Sequence, residues 1–130
     1  LGGVPAALPA LVKAFRIQEK AANVGFDWEN ASEVWGKVQE EADEVENAVS
    51  SGNEKEIEAE FGDLLFAVIN AARLHGVNPE NALERTNRKF ISRFNHIEAS
   101  ANAQGRKLTE MSLEEMDALW NEAKASESSI

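Results

Sequence analysis

The chain has 130 residues, 43 % of them hydrophobic and 28 % charged, which is ordinary for one globular domain that buries its own core. Its formal net charge is −10, so it lacks the excess of Lys and Arg that neutralises nucleic-acid phosphates, and we expect no nucleic-acid partner. Cysteine is absent, which excludes disulfides and thiolate metal sites and fits a cytoplasmic protein. No apolar run reaches the roughly 20 residues that a membrane span needs.

Two helices are predicted in the first part of the chain, after a leader of residues 1–7. The first begins near Pro9 and ends at Gly25, a residue type that commonly terminates helices. The second begins near Asn30, which has capping-box spacing to Glu33, and ends at Gly52. Its apolar residues recur at helical spacing and predict one buried stripe: Val34, Val38, Ala42, Val45 and Val49.

The third predicted helix, capped by Asn53 and closed by Gly76, is apolar almost all the way round from Phe61 onward. A helix of that kind belongs in the middle of a bundle. Glu60 and Asp63 nevertheless fall on one side of it. Because a carboxylate in the apolar part of a central helix is costly to bury alone, we expect these acids to cap a loop or to meet a cation.

A fourth helix is predicted from Asn78-Pro79 to Gly105, with proline at the first helical position. Ser112 and Glu115 form a capping box that begins a short fifth helix, and residues 125–130 are expected to be a frayed tail. The short loops predict that helices two and three, and helices three and four, are antiparallel neighbours. The sequence therefore predicts an all-α fold, a bundle of four main helices plus a short C-terminal helix in one domain, residues 1–130.

Acidic residues crowd the second helix, and most such runs are simply a solvated face. Here, however, the helical projection places Glu41 inside the apolar arc and Glu44 at its edge. If helices two and three are antiparallel, this pair can face Glu60 and Asp63. Four inward carboxylates would repel one another without hard cations, and ligand sets made only of oxygen suit Mg²⁺ or Mn²⁺. A ferritin-type di-iron site needs Glu-x-x-His pairs, which the sequence lacks.

Mg²⁺ held by carboxylates commonly shares its ligand shell with substrate phosphates, so positive side chains are expected nearby. Lys89 and Arg93 share one side of the fourth helix, although pairing with surface acids would explain them equally well. Lys37 lies one turn before Glu41. Trp120 is either core or a flank for a base or ribose, and Lys124 projects beside it.

Several motifs resemble the MazG nucleoside triphosphate pyrophosphohydrolases. They are KVQEEADE at 37–44, EFGDLLF at 60–66 and NRKFISRF at 87–94. LPAL at 8–11 and ANVGFDW at 22–28 look like the second, C-terminal domain of full-length MazG. The resemblance covers nearly the whole chain, and these motifs together are far more specific than the spacing of the acids alone.

The resemblance implies an all-α, Mg²⁺-dependent homodimer that cleaves NTP or dNTP to the monophosphate and pyrophosphate. Two other functions stay open, a non-catalytic helical interaction domain and a base-specific relative of the dUTP or dCTP pyrophosphatases. By matching positions, the implied metal ligands and catalytic residues are Glu41, Glu44, Glu60 and Asp63. The implied substrate contacts are Lys37, Asn87, Lys89, Arg93, Trp120 and Lys124. Apart from the resemblance, Glu40 is a further candidate for the substrate side of the site and for the general base.

Overall fold

The computed structural model describes residues 1–128, and within them the chain forms helices and no strand, which confirms the all-α class. No helix in this described part is long and apolar enough to cross a membrane. The α-helices are α1 (Ala10–Asn23), α2 (Val34–Ser51), α3 (Glu54–Leu74), α4 (Pro79–Ala103) and α5 (Leu113–Ser128), with short 3-10 helices at Ala31–Glu33 and Leu108–Glu110.

The chain divides into two compact units, the first comprising residues 1–82 and the second beginning at Leu83. Each unit is described by itself below. The single domain expected from chain length stays a prediction, as does the neighbourhood of helices three and four.

In the first unit α2 and α3 form a helical hairpin, as predicted from the short loop. Gly52 ends α2 with φ of 75°, a left-handed conformation that glycine adopts without steric cost. Asn53 then caps α3, since its Oδ1 accepts a hydrogen bond from the Glu56 backbone N–H at 3.1 Å. This turn places the acidic segments of α2 and α3 on neighbouring helices.

The start of α2 differs from the predicted capping box. Asn30 makes no side-chain cap, and its Nδ2 instead donates to Glu33 Oε1 at 3.4 Å beside the 3-10 turn. The buried stripe is also rotated slightly. Ala48 is buried, whereas Val49 is 53 % exposed. The buried face of α2 therefore continues from Val45 to the residue three positions later, Ala48, and not to Val49, which is four positions later.

The core of this unit lies between α2 and α3, and α1 also contacts α3. Its most deeply buried apolar residues are small or β-branched. The expectation that α3 is fully enclosed is not met by this chain alone, because four large apolar side chains of α3 are 42–61 % exposed. The buried core residues of the hairpin are Val34, Val45, Ala48, Ala67, Ile69 and Ala71, and the exposed residues of α3 are Phe61, Leu65, Phe66 and Val68.

In the second unit α4 is followed by α5, and the buried apolar residues are Ile97, Ala101 and Met111. The predicted capping box is present, because the Ser112 N–H donates to Glu115 Oε1 and the Glu115 N–H donates to Ser112 Oγ, each at 3.1 Å. The prediction of a short helix with a frayed tail is wrong for residues 125–128, because α5 continues to Ser128. Residues 129–130 of that tail lie outside the described residues.

Candidate functional site

Three carboxylates of the first unit converge. Glu41, Glu60 and Asp63 each offer one oxygen, and these oxygens lie within 4.8 Å of one another. Glu41 comes from α2, whereas Glu60 and Asp63 are one turn apart on α3, so the hairpin is what brings them together. This convergence agrees with the helical projection of these three residues.

Burial differs within the group. Glu41 is only 7 % exposed, in agreement with its place inside the apolar arc, whereas Glu60 is half-buried and Asp63 is exposed. The loss of water around Glu60, and then the charges of Asp63, Glu44 and Glu41, raise the pKa of Glu60 above its ordinary value. Glu44 is exposed and is not among the three closely spaced oxygens, but its charge acts on Glu60.

Lys37 places a positive charge beside this group. Its Nζ lies 2.7 Å from Glu41 Oε1 and 3.8 Å from Glu40 Oε1. The hydrogen bond to Glu41 is the largest cause that raises the pKa of Lys37, and the charges of Glu40 and Asp63 add to it. Lys37, which was predicted to contact phosphate, is therefore the counter-ion of Glu41, the most buried carboxylate among the described residues.

The cluster fits a hard divalent cation. Its donors are carboxylate oxygens only, with no histidine or cysteine in the group, and this chemistry favours Mg²⁺ or Mn²⁺ over zinc or copper. Within residues 1–128, Lys37 pairs with Glu41 of this group of three acids, so a cation held there would add to the compensation of their negative charge. The residues present can accept a metal ion.

The second unit contains a separate cationic cluster that includes two predicted substrate residues in direct contact. The Arg93 guanidinium lies over the Trp120 ring, 5.2 Å from its centroid, and the Phe90 ring packs against Trp120 at 5.2 Å between centroids. Arg93 also donates hydrogen bonds to the carboxylate of Glu127. The hydrogen bond to Glu127 raises the pKa of Arg93.

Two further predicted residues act on the same carboxylate. The Arg93 hydrogen bond is the main cause that lowers the pKa of Glu127, and the charges of Lys89 and Lys124 lower it further, against the opposing effect of burial. Three predicted substrate-binding cations thus act on one acid within one unit. Asn87 and Glu40 are exposed, and their predicted roles stay predictions.

Glu127 is the residue that sequence reasoning missed. It lies in the stretch predicted to be frayed, so it was not projected on the helix with its neighbours. Extending α5 by one turn would have revealed it, since residues 120 and 127 are seven positions apart and fall on the same helical face.

The fold and the site place the chain in a class of proteins. This class consists of all-α proteins in which a helical hairpin brings carboxylate oxygens together as a candidate divalent-metal site. Residues 30–98, which include all of the hairpin acids, match the MazG nucleotide pyrophosphohydrolase domain family. The chain belongs to this family.

Two relatives carry descriptive names. The protein named nucleoside triphosphate pyrophosphohydrolase/pyrophosphatase MazG of Thermotoga maritima is 41 % identical over 124 residues, 95 % of this chain and 48 % of the relative. The nucleoside triphosphate pyrophosphohydrolase of Escherichia coli K12 is 43 % identical over 129 residues, 98 % of this chain and 49 % of the relative.

The uncharacterized protein YabN of Bacillus subtilis is 53 % identical over 128 residues, 98 % of this chain and 26 % of YabN. The chain thus spans about half the length of the named relatives, and about a quarter of YabN.

Proposed function

We propose that the chain is a nucleoside triphosphate pyrophosphohydrolase, which converts an NTP or dNTP and water to the monophosphate and pyrophosphate by cleaving the α,β-phosphoanhydride. The observation that carries this proposal is the convergence of the Glu41, Glu60 and Asp63 oxygens within 4.8 Å, in a chain of the MazG family. The names of the relatives from Thermotoga maritima and Escherichia coli support the reaction.

The proposed metal ligands are Glu41, Glu44, Glu60 and Asp63, with Mg²⁺ as the ion and Mn²⁺ as a substitute. When bound, such an ion supplies charge neutralisation and Lewis acidity. The protein's part is to fix the ligands on two helices, which hold side chains more rigidly than loops do. Glu41 is the best-fixed member, because its burial restricts its rotamers.

The proposed phosphate contacts are Lys37, Lys89 and Arg93. Arg93 is suited to a phosphate because its planar guanidinium presents two parallel N–H donors, and its position over the Trp120 ring restricts where the side chain lies. Trp120 and Lys124 lie on the helical face that we propose to be nearest the nucleotide. Asn87 is proposed as a further substrate contact, and Glu40 as a substrate-side residue and candidate general base.

The test is a product assay with the eight common NTPs and dNTPs in the presence of Mg²⁺, followed by identification of the first phosphate product. We expect monophosphate and pyrophosphate from the native chain, and a loss of at least tenfold in rate for Asp63→Asn. The matched control is Glu122→Gln, which removes one negative charge from α5, far in sequence from the carboxylate cluster. This variant should keep the rate of the native chain. Orthophosphate as the first product would contradict the proposed bond. The same panel measures whether one base is preferred.

We also propose that the chain forms a homodimer. The support is the exposure of Phe61, Leu65, Phe66 and Val68 on α3, since large apolar side chains grouped on one helix commonly mark an interface. Light scattering coupled to size exclusion tests this, and a mass of one chain at micromolar concentration would contradict it. The absence of a nucleic-acid partner and the cytoplasmic location stay predictions.

A further inference from the structure

Glu127 pairs with Arg93 through the edge of the guanidinium. Arg93 Nε lies 3.1 Å from Glu127 Oε1, and Arg93 Nη2 lies 2.8 Å from Glu127 Oε2. Two parallel N–H donors thus meet the two oxygens of one carboxylate. This bidentate arrangement is also the way in which arginine binds a phosphate group, so an anion of either kind uses the same donors.

While this pair is intact, both donors of the Nε–Nη2 edge of Arg93 are engaged. Its guanidinium also lies over the Trp120 ring, with 5.2 Å between Arg93 Cζ and the ring centroid. The Arg93 side chain is only 14 % exposed. A phosphate that reaches Arg93 by its Nε and Nη2 donors must therefore take the place of the Glu127 carboxylate.

The charges around Glu127 indicate that its position suits an anion with more than one negative charge. Lys89 and Lys124 act on this carboxylate in addition to Arg93. The Glu127 carboxylate carries a single negative charge. A pyrophosphate group brings more charge and more acceptor oxygens, so it has the stronger attraction to the same cluster.

The pair is nevertheless easy to open. The Glu127 side chain is 38 % exposed and lies in the last turn of α5, which ends at Ser128. When an exposed carboxylate of this kind rotates into water, the hydration that it gains offsets most of the lost attraction, so ion pairs with such exposure contribute little net stability. Glu127 can thus leave Arg93 without unfolding the helix.

We propose that Glu127 is an internal competitor of the substrate, which occupies the phosphate-binding edge of Arg93 in the substrate-free protein and must release it before the triphosphate binds. This inference rests on the proposed function, in which Arg93 contacts the phosphates. Glu127 acts through Arg93 and is a positioning residue, not a catalytic one. It sets the affinity for the pyrophosphate end of the substrate and leaves the chemical step unchanged.

The test compares Glu127→Gln, which keeps the shape and removes the charge, with the native chain. Because an ion pair of this exposure is weak, we expect KM for the nucleotide to fall by about three- to fivefold, with kcat unchanged. Isothermal titration with inorganic pyrophosphate in Mg²⁺ should show tighter binding by a similar factor. Thermal unfolding should place the melting temperature of the variant within a few degrees of the native value.

Two controls separate the contact from a general change of charge. Glu122→Gln removes the same charge from the same helix, where Glu122 lies 3.3 Å from His96 Nε2, and should change KM and pyrophosphate affinity by less than twofold. Glu127→Asp keeps the charge but shortens the side chain by one methylene, which weakens the bidentate contact, so its affinity should lie between the native value and that of Glu127→Gln.

Unchanged pyrophosphate affinity in Glu127→Gln would overturn the inference. Weaker binding would overturn it too, because Glu127 would then be holding Arg93 in place for the substrate. Arg93→Met separates this failure from that of the proposed function. If Arg93→Met weakens pyrophosphate binding while Glu127→Gln does not change it, only the competitor is wrong. If Arg93→Met binds pyrophosphate as the native chain does, the assignment of Arg93 to the phosphates is wrong.

Discussion

Replacing Lys37 with methionine removes the counter-ion of Glu41 but keeps most of the aliphatic stem. The two partners of this pair differ in exposure, since the side chain of Glu41 is 9 % exposed and that of Lys37 is 41 % exposed. Lys37→Met therefore leaves a largely buried carboxylate unpaired next to two other acids. An uncompensated buried charge costs about 3–5 kcal/mol, and we take about 2–3 kcal/mol here because some solvent reaches the group.

The reverse substitution should cost much less. Glu41→Gln leaves an ammonium that water can solvate, and it also removes one of three neighbouring negative charges, so we expect a change in unfolding free energy of about 1 kcal/mol or less. For a chain of this size, 2–3 kcal/mol corresponds to a drop in melting temperature of about 10 °C. The two variants are thus distinguishable by thermal unfolding in EDTA, followed by far-UV circular dichroism.

Mg²⁺ should restore much of the stability that Lys37→Met loses. An ion held at the proposed site would act as the counter-charge of Glu41, and at about ten times its Kd it would stabilise the protein by about 1.4 kcal/mol. The rise in melting temperature on adding Mg²⁺ should be larger for Lys37→Met than for the native chain, and smallest for Glu41→Gln. Equal destabilisation by both substitutions, or the same response to Mg²⁺ in all three proteins, would refute this reasoning.

Three further predictions concern stability. Asn53→Ala removes the cap of α3 and should cost about 1 kcal/mol in chemical denaturation, whereas Asn53→Asp should cost much less. Gly52→Ala should cost about 1 kcal/mol, because its φ of 75° is strained for alanine, although the added Cβ would have space among the described residues beyond its chain neighbours. The salt bridge to Arg106 lowers the pKa of Glu115 to about 2 from its ordinary 4.5. Its stabilising effect is complete above pH 4.5 and is lost as the pH falls towards 2, so Glu115→Gln should unfold with a smaller acid dependence over that range.

Helix ends were the most predictable part of the fold. Gly52, Asn53 and the Ser112 capping box have local conformational roles that do not depend on distant packing, and the structure places all three as expected. Asn30 was less predictable, because an amide can donate as well as accept, and the 3-10 turn gave its Nδ2 a carboxylate partner. Local chemistry alone could not decide between these two hydrogen bonds.

The candidate metal cluster was predictable because helical periodicity and a short loop together determine which side chains face each other. Glu41 in the apolar arc was the informative residue, since its burial requires a compensating charge. The exposure of Phe61 and Leu65 could not be foreseen in the same way. An apolar helix face predicts that something covers it, but the sequence pattern is the same whether the cover comes from the same chain or from a second copy.

Glu127 was missed for a physical reason. Small and polar residues near a chain end commonly fray, and the helix propensity of its neighbours gave no sign of continued order. The side-chain contact with Arg93 on α4 accompanies the extra helical turn, and a contact with another helix is invisible to a window of local sequence.

The most direct test of the account is a Mn²⁺ titration followed by electron paramagnetic resonance, in which bound Mn²⁺ loses the signal of the free ion. The account predicts saturable binding by the native chain, competition by Mg²⁺, a loss of at least tenfold in affinity for Glu60→Gln and Asp63→Asn, and native affinity for the Glu122→Gln control. Equal Mn²⁺ affinity in all four proteins would contradict the claim that the carboxylates of α2 and α3 hold a divalent ion.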